Sequence, residues 1–299
     1  MLNDYLAKES SCGTLVFYKD EPLAPHSTFG IGGQCDYFVK PFSEDALISL
    51  IAFLKENRIR YTVIGNASNL LFDDAGYRGC VISTQGLRSV SIRDTEIEVG
   101  AGYSLIALSS QAQKRGLSGL EFACSIPATV GGAVYMNAGA YGGEIKDIVT
   151  TVRYLSPDGK VVEASEHGFS YRHSVYQEND GVILSCRMSL THKDADLILD
   201  KMEENRQKRE ATQPTREKSA GSVFRRMPDC IPAKLIDEAG LKGFSCGGAE
   251  VSTKHAGFIV NRGSATSRDV CTLISRIQEI IKARYGVSLC CEIRFISAD

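Results

Sequence analysis

The chain has 299 residues, of which 43% are hydrophobic, so it can bury one large core or two smaller ones. Lys and Arg total 34 against 36 for Asp and Glu, and the net charge of -2 provides no long-range attraction toward nucleic acid or anionic membranes. This balance excludes a basic nucleic-acid-binding protein and a polybasic membrane-surface protein. Any groups that bind anions must therefore be local.

The N-terminal segment is predicted to carry no targeting signal. Residues 1–9 include Asp4, Lys8 and Glu9 and lack an apolar run of signal-peptide length. The longest apolar stretch, residues 46–54, is too short to span a bilayer. We therefore expect a cytoplasmic protein that binds neither a membrane nor nucleic acid.

Cysteine usage points away from disulfides and metal sites. The ten cysteines are scattered without a CxxC pair, and Cys290 and Cys291 are adjacent. This spacing does not match that of metal ligands. We expect no metal, no disulfide framework, and cysteines that are mostly small buried apolar residues.

The first part of the chain, from Thr28 to about Leu190, reads as short strands separated by tight turns, with helices between them. Ser43 is a predicted N-cap for a helix, and residues 104–115 form a second predicted helix that ends at Gly116. Apolar residues at helical spacing in the first helix are Leu47, Ile48, Ile51 and Leu54. The predicted strands are residues 61–64, 80–84, 90–99 and 182–186.

From Asp194 onward the chain changes character. A charged helix is predicted through about Arg209, followed by a turn at Gln213 and Pro214. The last helix is predicted to begin at a Ser267 cap and to end at Gly286. Its predicted core stripe is Val270, Leu273, Ile274, Ile277 and Ile281.

A glycine-containing turn at residues 63–71 is a candidate phosphate site. It follows a predicted strand and contains Gly65, Asn66, Ser68 and Asn69. Successive backbone N–H groups in such a turn, with the Ser and Asn side chains, form a nest that favours a pyrophosphate. An ordinary Asn/Gly turn between strand and helix is the alternative.

A second segment, residues 118–143, is rich in Gly, Ala, Ser and Thr. Because large side chains are nearly absent, a flat ligand can approach its backbone closely, although tight packing of irregular loops also explains such a composition. Two such segments about 60 residues apart favour one long ligand held at several points, such as a dinucleotide. The candidate ligand-binding residues here are Ser125, Ile126, Thr129, Gly131 and Gly132.

A Rossmann-type dinucleotide site is not indicated. Residues 30–35, Gly-Ile-Gly-Gly-Gln-Cys, begin like that fingerprint but end in Cys35, and no acidic residue follows at the expected distance. A Walker sequence is also absent. A dinucleotide would therefore be bound by a different architecture.

Together these segments closely resemble the UDP-N-acetylenolpyruvoylglucosamine reductase family. The resemblance runs in order from Ser27-Thr28-Phe29-Gly30-Ile31-Gly32-Gly33 to Glu292-Ile293-Arg294-Phe295-Ile296. It implies an α+β protein with a PCMH-type FAD-binding domain of two α+β subdomains, residues 1–195 split near 90. A smaller α+β substrate-binding domain, residues 196–299, follows. It also implies non-covalent FAD and NADPH as co-substrate.

Three motifs resemble the family's catalytic set, and by that likeness Arg172, Ser222 and Glu292 are the catalytic residues. They lie in Tyr171-Arg172-His173-Ser174-Val175-Tyr176, in Thr212-Gln213-Pro214 followed by Ser219-Ala220-Gly221-Ser222-Val223-Phe224, and in Cys291-Glu292-Ile293-Arg294-Phe295. The short spacing after Tyr176 indicates the compact subtype, which lacks an extra substrate-covering loop.

The reaction implied by the resemblance needs a carboxylate-binding cation, a proton donor and a group that shares a proton. Arg172 suits the enolate because its guanidinium donates two N–H bonds to a carboxylate. Ser222 is the predicted proton donor, and Glu292 is predicted to share a proton with the same enolate. Weaker candidates are Tyr171, Arg226 and His255 for the substrate, and Arg209 for a phosphate of the flavin or substrate.

The sequence departs from the family pattern at a few positions. Ala67, Ser125 and Ala128 stand where family members often have Gly, which raises the question of their backbone angles, because Ala tolerates a positive φ poorly. Arg226-Met227-Pro228 replaces a residue directly followed by Pro, and this insertion leaves Ser222 in place.

Two alternative functions remain open at this point. One is another FAD-dependent oxidoreductase of the same flavin fold that acts on an alcohol or sugar, and the other is a non-catalytic nucleotide-binding regulator. Singly, each catalytic candidate also has a plain structural explanation, as an ion pair, a turn hydroxyl or a solvated charge. We expect a monomer whose partner is the small-molecule substrate, UDP-N-acetylglucosamine enolpyruvate.

Overall fold

A computed structural model describes residues 1–299, and the chain forms a mixture of helices and strands. The helices are α1 (Leu2–Ser11), α2 (Glu44–Glu56), α3 (Leu105–Gln113), α4 (Val130–Tyr135), α5 (Ala195–Thr212), α6 (Pro232–Glu238) and α7 (Ser267–Tyr285). The predicted α+β class is therefore confirmed.

The strands are short and numerous. They are β1 (Leu15–Pro22), β2 (Gln34–Pro41), β3 (Tyr61–Ile64), β4 (Leu70–Phe72), β5 (Tyr77–Ser83), β6 (Val90–Arg93), β7 (Glu96–Gly100), β8 (Leu117–Ser118), β9 (Gly139–Ala140), β10 (Gly143–Glu144), β11 (Val149–Leu155), β12 (Val161–Ala164), β13 (Val182–Ser189), β14 (Thr191–His192), β15 (Ser245–Cys246), β16 (Ala249–Val251), β17 (Ile259–Asn261) and β18 (Arg294–Ile296). None of the helices has the length and apolar content that a membrane span requires.

Two compact units make up the chain, and neither is continuous in sequence. Unit 1 comprises residues 1–18, 37–66 and 79–208, and unit 2 comprises residues 19–36, 67–78 and 209–299. The chain also contains a four-stranded sheet of order β1-β2-β5-β3. Units 1 and 2 are defined by compactness alone. The boundary between an FAD-binding and a substrate-binding domain at 195/196 stays a prediction.

Unit 1 is organised by an antiparallel sheet of order β12-β11-β13-β7-β6. The predicted single strand over residues 90–99 is wrong, because the chain reverses at Asp94 (φ +51°) and β6 pairs antiparallel with β7. The predicted Ser43 cap is confirmed, since its hydroxyl accepts from the Ala46 amide at 3.1 Å. Leu47, Ile51 and Leu54 on α2 are buried in the unit 1 core.

Unit 2 has its own core around α7. The whole predicted stripe of this helix is buried there, and a fully buried Leu or Ile side chain stabilises a fold by about 1.5–3 kcal/mol. Gly286 ends the helix in the left-handed conformation, as predicted. The N-cap is Thr266, however, and not Ser267, because the Ser267 hydroxyl and amide both donate to the Asp74 carboxylate.

Unit 2 also contains α6, a three-stranded antiparallel sheet, β15-β16-β17, and a parallel pair of β18 with β4. All ten cysteines are free thiols. The expectation that most of them are buried is wrong, because only Cys35, Cys80 and Cys186 are buried, whereas Cys290 and Cys291 are exposed.

Candidate active site

In unit 1 the two glycine-rich segments are in direct contact. A Cβ atom at Gly65 would lie 2.2 Å from the Thr129 hydroxyl oxygen, and the Asn66 amide donates to the Pro127 carbonyl at 3.3 Å. A Cβ atom at Gly131 would lie 2.7 Å from the Ala101 methyl carbon. Gly65 and Gly131 are therefore required by close packing, and the two segments form one cluster although more than sixty positions separate the contacting residues.

The second segment contains a polar atom that no protein group satisfies. The Ser125 hydroxyl is buried without a hydrogen-bond partner, and Ile126 beside it packs partly against the unit 1 core. Thr129 caps α4 by accepting from the Gly132 amide at 3.2 Å. A buried hydroxyl without a partner costs about 1–3 kcal/mol, so a ligand with polar edges, such as FAD, fits this cluster.

The turn at residues 65–69 contains a residue with a positive φ angle. Ala67 is buried and has φ +47°, which is the left-handed region that an L-residue with a Cβ atom rarely occupies. Ser125 and Ala128 are not among the residues with positive φ. The substitution of Gly by Ala thus matters at residue 67 alone. A left-handed residue within a tight turn is typical of an anion-binding nest.

The arginine motif is a tight hairpin in unit 1. Ser170 and His173 exchange backbone hydrogen bonds, and Arg172 between them has φ +55°. The Arg172 guanidinium donates to the Gly139 carbonyl at 3.0 Å and lies 5.0 Å from the centre of the exposed Tyr171 ring. Gly139 belongs to the small-residue segment. The structure therefore joins the arginine motif to the candidate cofactor segment.

A buried pair lies at the base of this hairpin. Nδ1 of His167 is 2.9 Å from the Tyr176 hydroxyl, and the Val175 amide donates to the His167 carbonyl. Both side chains are buried, and burial lowers the pKa of His167 and raises that of Tyr176. His167 is therefore neutral at physiological pH, and a neutral imidazole stabilises the hairpin.

Acid is expected to destabilise the protein through His167. In the unfolded chain this imidazole takes up a proton near pH 6.5, whereas in the folded chain it does so only at lower pH. Its contribution is complete above pH 6.5 and is lost as the pH falls below that value, by at most about 1.4 kcal/mol per pH unit. Urea unfolding at pH 7.5 and 5.5 measures this loss.

The matched variants for this measurement are His167→Gln and His192→Gln. His192 is exposed and pairs with Asp94, so His192→Gln controls for the loss of an imidazole outside the buried hairpin. His167→Gln should reduce the loss of unfolding free energy between the two pH values, and the half-buried His255 supplies part of the remainder. An identical loss in His167→Gln and the parent protein contradicts this assignment.

In unit 2 the serine and glutamate motifs are adjacent. The Glu292 amide donates to the Val223 carbonyl at 2.7 Å, and Phe224 pairs with Cys291. Asn69, a candidate cofactor residue, donates from its side chain to the Glu292 carbonyl at 3.2 Å. Positions 69, 222 and 292 are thus brought together within one unit, although they are far apart in sequence.

His255 belongs to the same part of unit 2. Ser222 pairs with Phe258, and the Gly257 amide donates to Nδ1 of His255 at 3.1 Å, so Nε2 of a neutral ring carries the proton. Burial is the main cause of the lowered pKa of His255. The ring borders a pocket of about 580 Å³. Its lining residues are Ala233, Lys234, Asp237, Glu238, Lys242, Lys254, His255 and Ala256.

The remaining candidates are two arginines, and the structure adds a third arginine that the sequence did not indicate. Arg209 is half-buried on α5, and Arg226 is exposed. Arg225, which the sequence did not single out, has its Nε atom buried without an acceptor, while its amide donates to the Cys290 carbonyl at 2.9 Å. Two adjacent arginines follow the serine motif, and nothing in their spacing indicates which one turns inward.

Comparison with known proteins decides the family. The model for the C-terminal domain of UDP-N-acetylenolpyruvoylglucosamine reductase matches residues 213–296, and that for an FAD binding domain matches residues 35–165. The UDP-N-acetylenolpyruvoylglucosamine reductase of Caldanaerobacter subterraneus is 44% identical over 281 residues, or 93% of each chain. The chain belongs to the UDP-N-acetylenolpyruvoylglucosamine reductase family.

Two further relatives of the reductase family extend over nearly the whole chain. The enzyme of this name from Carboxydothermus hydrogenoformans is 44% identical over 299 residues, 99% of this chain and 98% of the relative. The crystal structure of UDP-N-acetylenolpyruvylglucosamine reductase (MurB) from Thermus caldophilus is 34% identical, with a TM-score of 0.79, and covers 94% of this chain and 98% of its own. The predicted resemblance and the predicted FAD cofactor are confirmed.

The family matches also locate the candidate residues. The FAD model includes every candidate cofactor position between 65 and 132. The C-terminal model of the reductase family includes Ser222, Arg226, His255 and Glu292. Tyr171, Arg172 and Arg209 lie between the two models. The roles of the individual residues stay predictions.

Proposed function

We propose that the protein reduces UDP-N-acetylglucosamine enolpyruvate to UDP-N-acetylmuramate, with NADPH as electron donor and non-covalent FAD as the cofactor, in peptidoglycan precursor synthesis. The observation that carries this proposal is the hydrogen-bonded pairing of the Ser222 and Glu292 segments within the region that matches the reductase C-terminal domain. The full-length similarity to reductases of this name supports it.

The chemistry requires a hydride at one alkene carbon and a proton at its neighbour, while negative charge builds on the carboxylate side. Bound FAD, once reduced by NADPH, supplies the hydride. Arg172 holds the substrate carboxylate and stabilises the enolate, because its charge is permanent and its donors match a carboxylate. Ser222 donates the proton, and Glu292 shares a proton with the same centre.

FAD is held by the two glycine-rich segments in this proposal. The turn with Gly65, Asn66, Ser68 and Asn69 takes the pyrophosphate, with support from the left-handed Ala67. The unpartnered Ser125 hydroxyl, next to Ile126, bonds the cofactor. The backbone groups of Thr129, Gly131 and Gly132 complete the site. Arg209 binds a phosphate of the flavin or of the substrate.

The substrate contacts are proposed at Tyr171, Arg226 and His255. The pocket beside His255 is lined by three lysines against Asp237 and Glu238, so its charge suits a diphosphate. Lys242 is paired with Asp237 at 2.7 Å, whereas Lys234 is 3.7 Å from Glu238. Tyr171 stacks against the Arg172 guanidinium and is positioned to contact the same ligand.

The proposed setting is a cytoplasmic monomer with an FAD-binding domain at residues 1–195 and a substrate-binding domain at residues 196–299. Ten free thiols without a disulfide suit a reducing compartment. Gel filtration with light scattering tests the monomer. A stable dimer contradicts it.

The decisive experiment separates the two half-reactions without oxygen. NADPH should bleach the flavin absorbance of the purified protein, and UDP-N-acetylglucosamine enolpyruvate should then restore it, with one UDP-N-acetylmuramate formed per flavin. Bleaching without restoration indicates an oxidoreductase for a different substrate. A protein that retains no FAD indicates a non-catalytic nucleotide-binding role.

A further inference from the structure

The backbone of Arg172 is held in a conformation that its own sequence does not favour. A φ of +55° places a long, Cβ-bearing side chain in the left-handed region, which costs about 1–2 kcal/mol for a residue other than Gly. Such a residue persists only when its surroundings impose the conformation. The source of that constraint is therefore informative about how the guanidinium is aimed.

Gln177 supplies one constraint. Its side-chain amide donates to the Arg172 carbonyl at 3.1 Å and to the Tyr135 carbonyl at 2.7 Å. It therefore ties the hairpin tip to the end of α4. The Ser174 hydroxyl donates to the same Tyr135 carbonyl at 2.7 Å, so the far arm of the hairpin is anchored at the same point.

Asn137 supplies a second constraint on the other arm of the hairpin. Its side chain is completely buried, and its amide donates to the Ser170 carbonyl at 2.9 Å and to Oε2 of Glu144 at 3.0 Å. Its oxygen accepts from the Lys146 amide at 3.0 Å. Asn137 itself has φ +41°, a conformation that Asn tolerates better than most residues.

The two amides leave the arginine little freedom. Gln177 donates to the Arg172 carbonyl, and Asn137 donates to the Ser170 carbonyl on the other arm of the hairpin. The guanidinium contacts the Gly139 carbonyl and the Tyr171 ring. The pKa of Glu144 is lowered chiefly by the hydrogen bond from Lys146, then by Asn137 and by the charge of Arg172. The Glu144 carboxylate, which accepts from Asn137, therefore also interacts electrostatically with Arg172.

We propose that Gln177 is a positioning residue for Arg172, acting with Asn137 to hold the strained hairpin so that the guanidinium meets the substrate carboxylate in one orientation. This inference rests on the proposed function, and specifically on the role of Arg172. Two-point binding of a carboxylate depends strongly on angle, and a displacement of about 1 Å can lower a rate about 100-fold.

The test compares Gln177→Met, which has similar length but no donor, with Gln113→Met. Gln113 makes a single side-chain hydrogen bond, to the Ala195 carbonyl at 3.0 Å, and lies outside the proposed site. Gln177→Met should slow flavin reoxidation by the enolpyruvyl substrate about 10- to 100-fold and leave reduction by NADPH within about twofold. Gln113→Met should leave both half-reactions unchanged.

A double-mutant cycle with Arg172→Lys separates positioning from general structure. If Gln177 acts through Arg172, adding Gln177→Met to Arg172→Lys should slow reoxidation less than about threefold further. The affinity of the oxidised protein for the substrate, measured by calorimetry, should be lower in Gln177→Met than in the parent. It should be the same in the double variant as in Arg172→Lys. Urea unfolding verifies folding, and Gln177→Glu, of equal size, replaces Gln177→Met if the latter does not fold.

The outcomes distinguish the two levels of proposal. If Arg172→Lys reoxidises at the parental rate, the role of Arg172 is wrong and this inference fails with it. If Arg172→Lys is slow and Gln177→Met is normal, or if the two effects multiply independently, the positioning role of Gln177 is overturned while the proposed function stands.

Discussion

Ser222→Ala should slow flavin reoxidation by UDP-N-acetylglucosamine enolpyruvate by about 10²- to 10⁴-fold, the range expected when a general acid is removed. Reduction of the flavin by NADPH should stay within about twofold of the parental rate, because that step transfers no proton to the substrate. Anaerobic stopped-flow absorbance measures both rates. Retained affinity for the substrate shows that the loss is in the chemical step.

Ser219→Ala is the matched control for this variant. Ser219 lies in the same motif, and its backbone exchanges hydrogen bonds with Thr28, so removal of its hydroxyl leaves those bonds intact. Both half-reactions should be normal in Ser219→Ala. A Ser222→Ala protein that reoxidises normally, or that is impaired only in reduction by NADPH, contradicts the proposed proton donation.

Gly65→Ala should weaken FAD binding about 10- to 100-fold. The new methyl group would lie 2.2 Å from the Thr129 hydroxyl oxygen and must displace this residue from its capping position on α4. Overpacking of this kind costs about 1–3 kcal/mol, and each 1.4 kcal/mol is a tenfold change in Kd. Titration of apoprotein with FAD, followed by flavin fluorescence, gives the Kd directly.

Two further variants make this prediction specific. Thr129→Ala removes the clashing oxygen, so the Gly65→Ala/Thr129→Ala protein should bind FAD more tightly than Gly65→Ala alone. Gly159→Ala introduces a Cβ atom at φ +82° into open space, and it should lower the unfolding free energy without changing the Kd for FAD. Equal Kd values for Gly65→Ala and the parent would falsify the proposed contact of the two segments with the cofactor.

Local sequence signals predicted the elements that depend on neighbouring residues. The Ser43 cap, the apolar stripe of α7 and its stop at Gly286 are all present in the structure. The strand over residues 90–99 was mispredicted because apolar residues alternate on both sides of the turn, at Val90 and Ile92 and again at Ile97 and Val99, and only the polar residues 93–96 between them form the reversal. The Ser267 cap was mispredicted because Asp74, nearly two hundred residues away, takes that hydroxyl and leaves Thr266 to cap α7.

The residues of the candidate site also fall into those that local sequence indicates and those that depend on distant contacts. The glycine-rich segments and the three motifs were found from residue type and order, and the family comparison supports the assembly that they imply. Arg225, Asn137 and Gln177 were not found, because each acts through a contact that is distant in sequence or depends on which way a side chain turns. The positive φ angle of Arg172 could not be predicted either, because no neighbouring residue favours it.

The sequence by itself determined the family, the α+β class, the flavin cofactor and the identity of the candidate motifs, because these depend on residue types in a set order. Only the tertiary structure decided that unit 2 is assembled from three separate stretches of chain, that Ser222 and Glu292 lie on paired segments, and that Gln177 holds Arg172. Hydrogen bonds between backbone groups are available to every residue, so a sequence does not specify which distant partners meet. Packing of the two cores selects those partners.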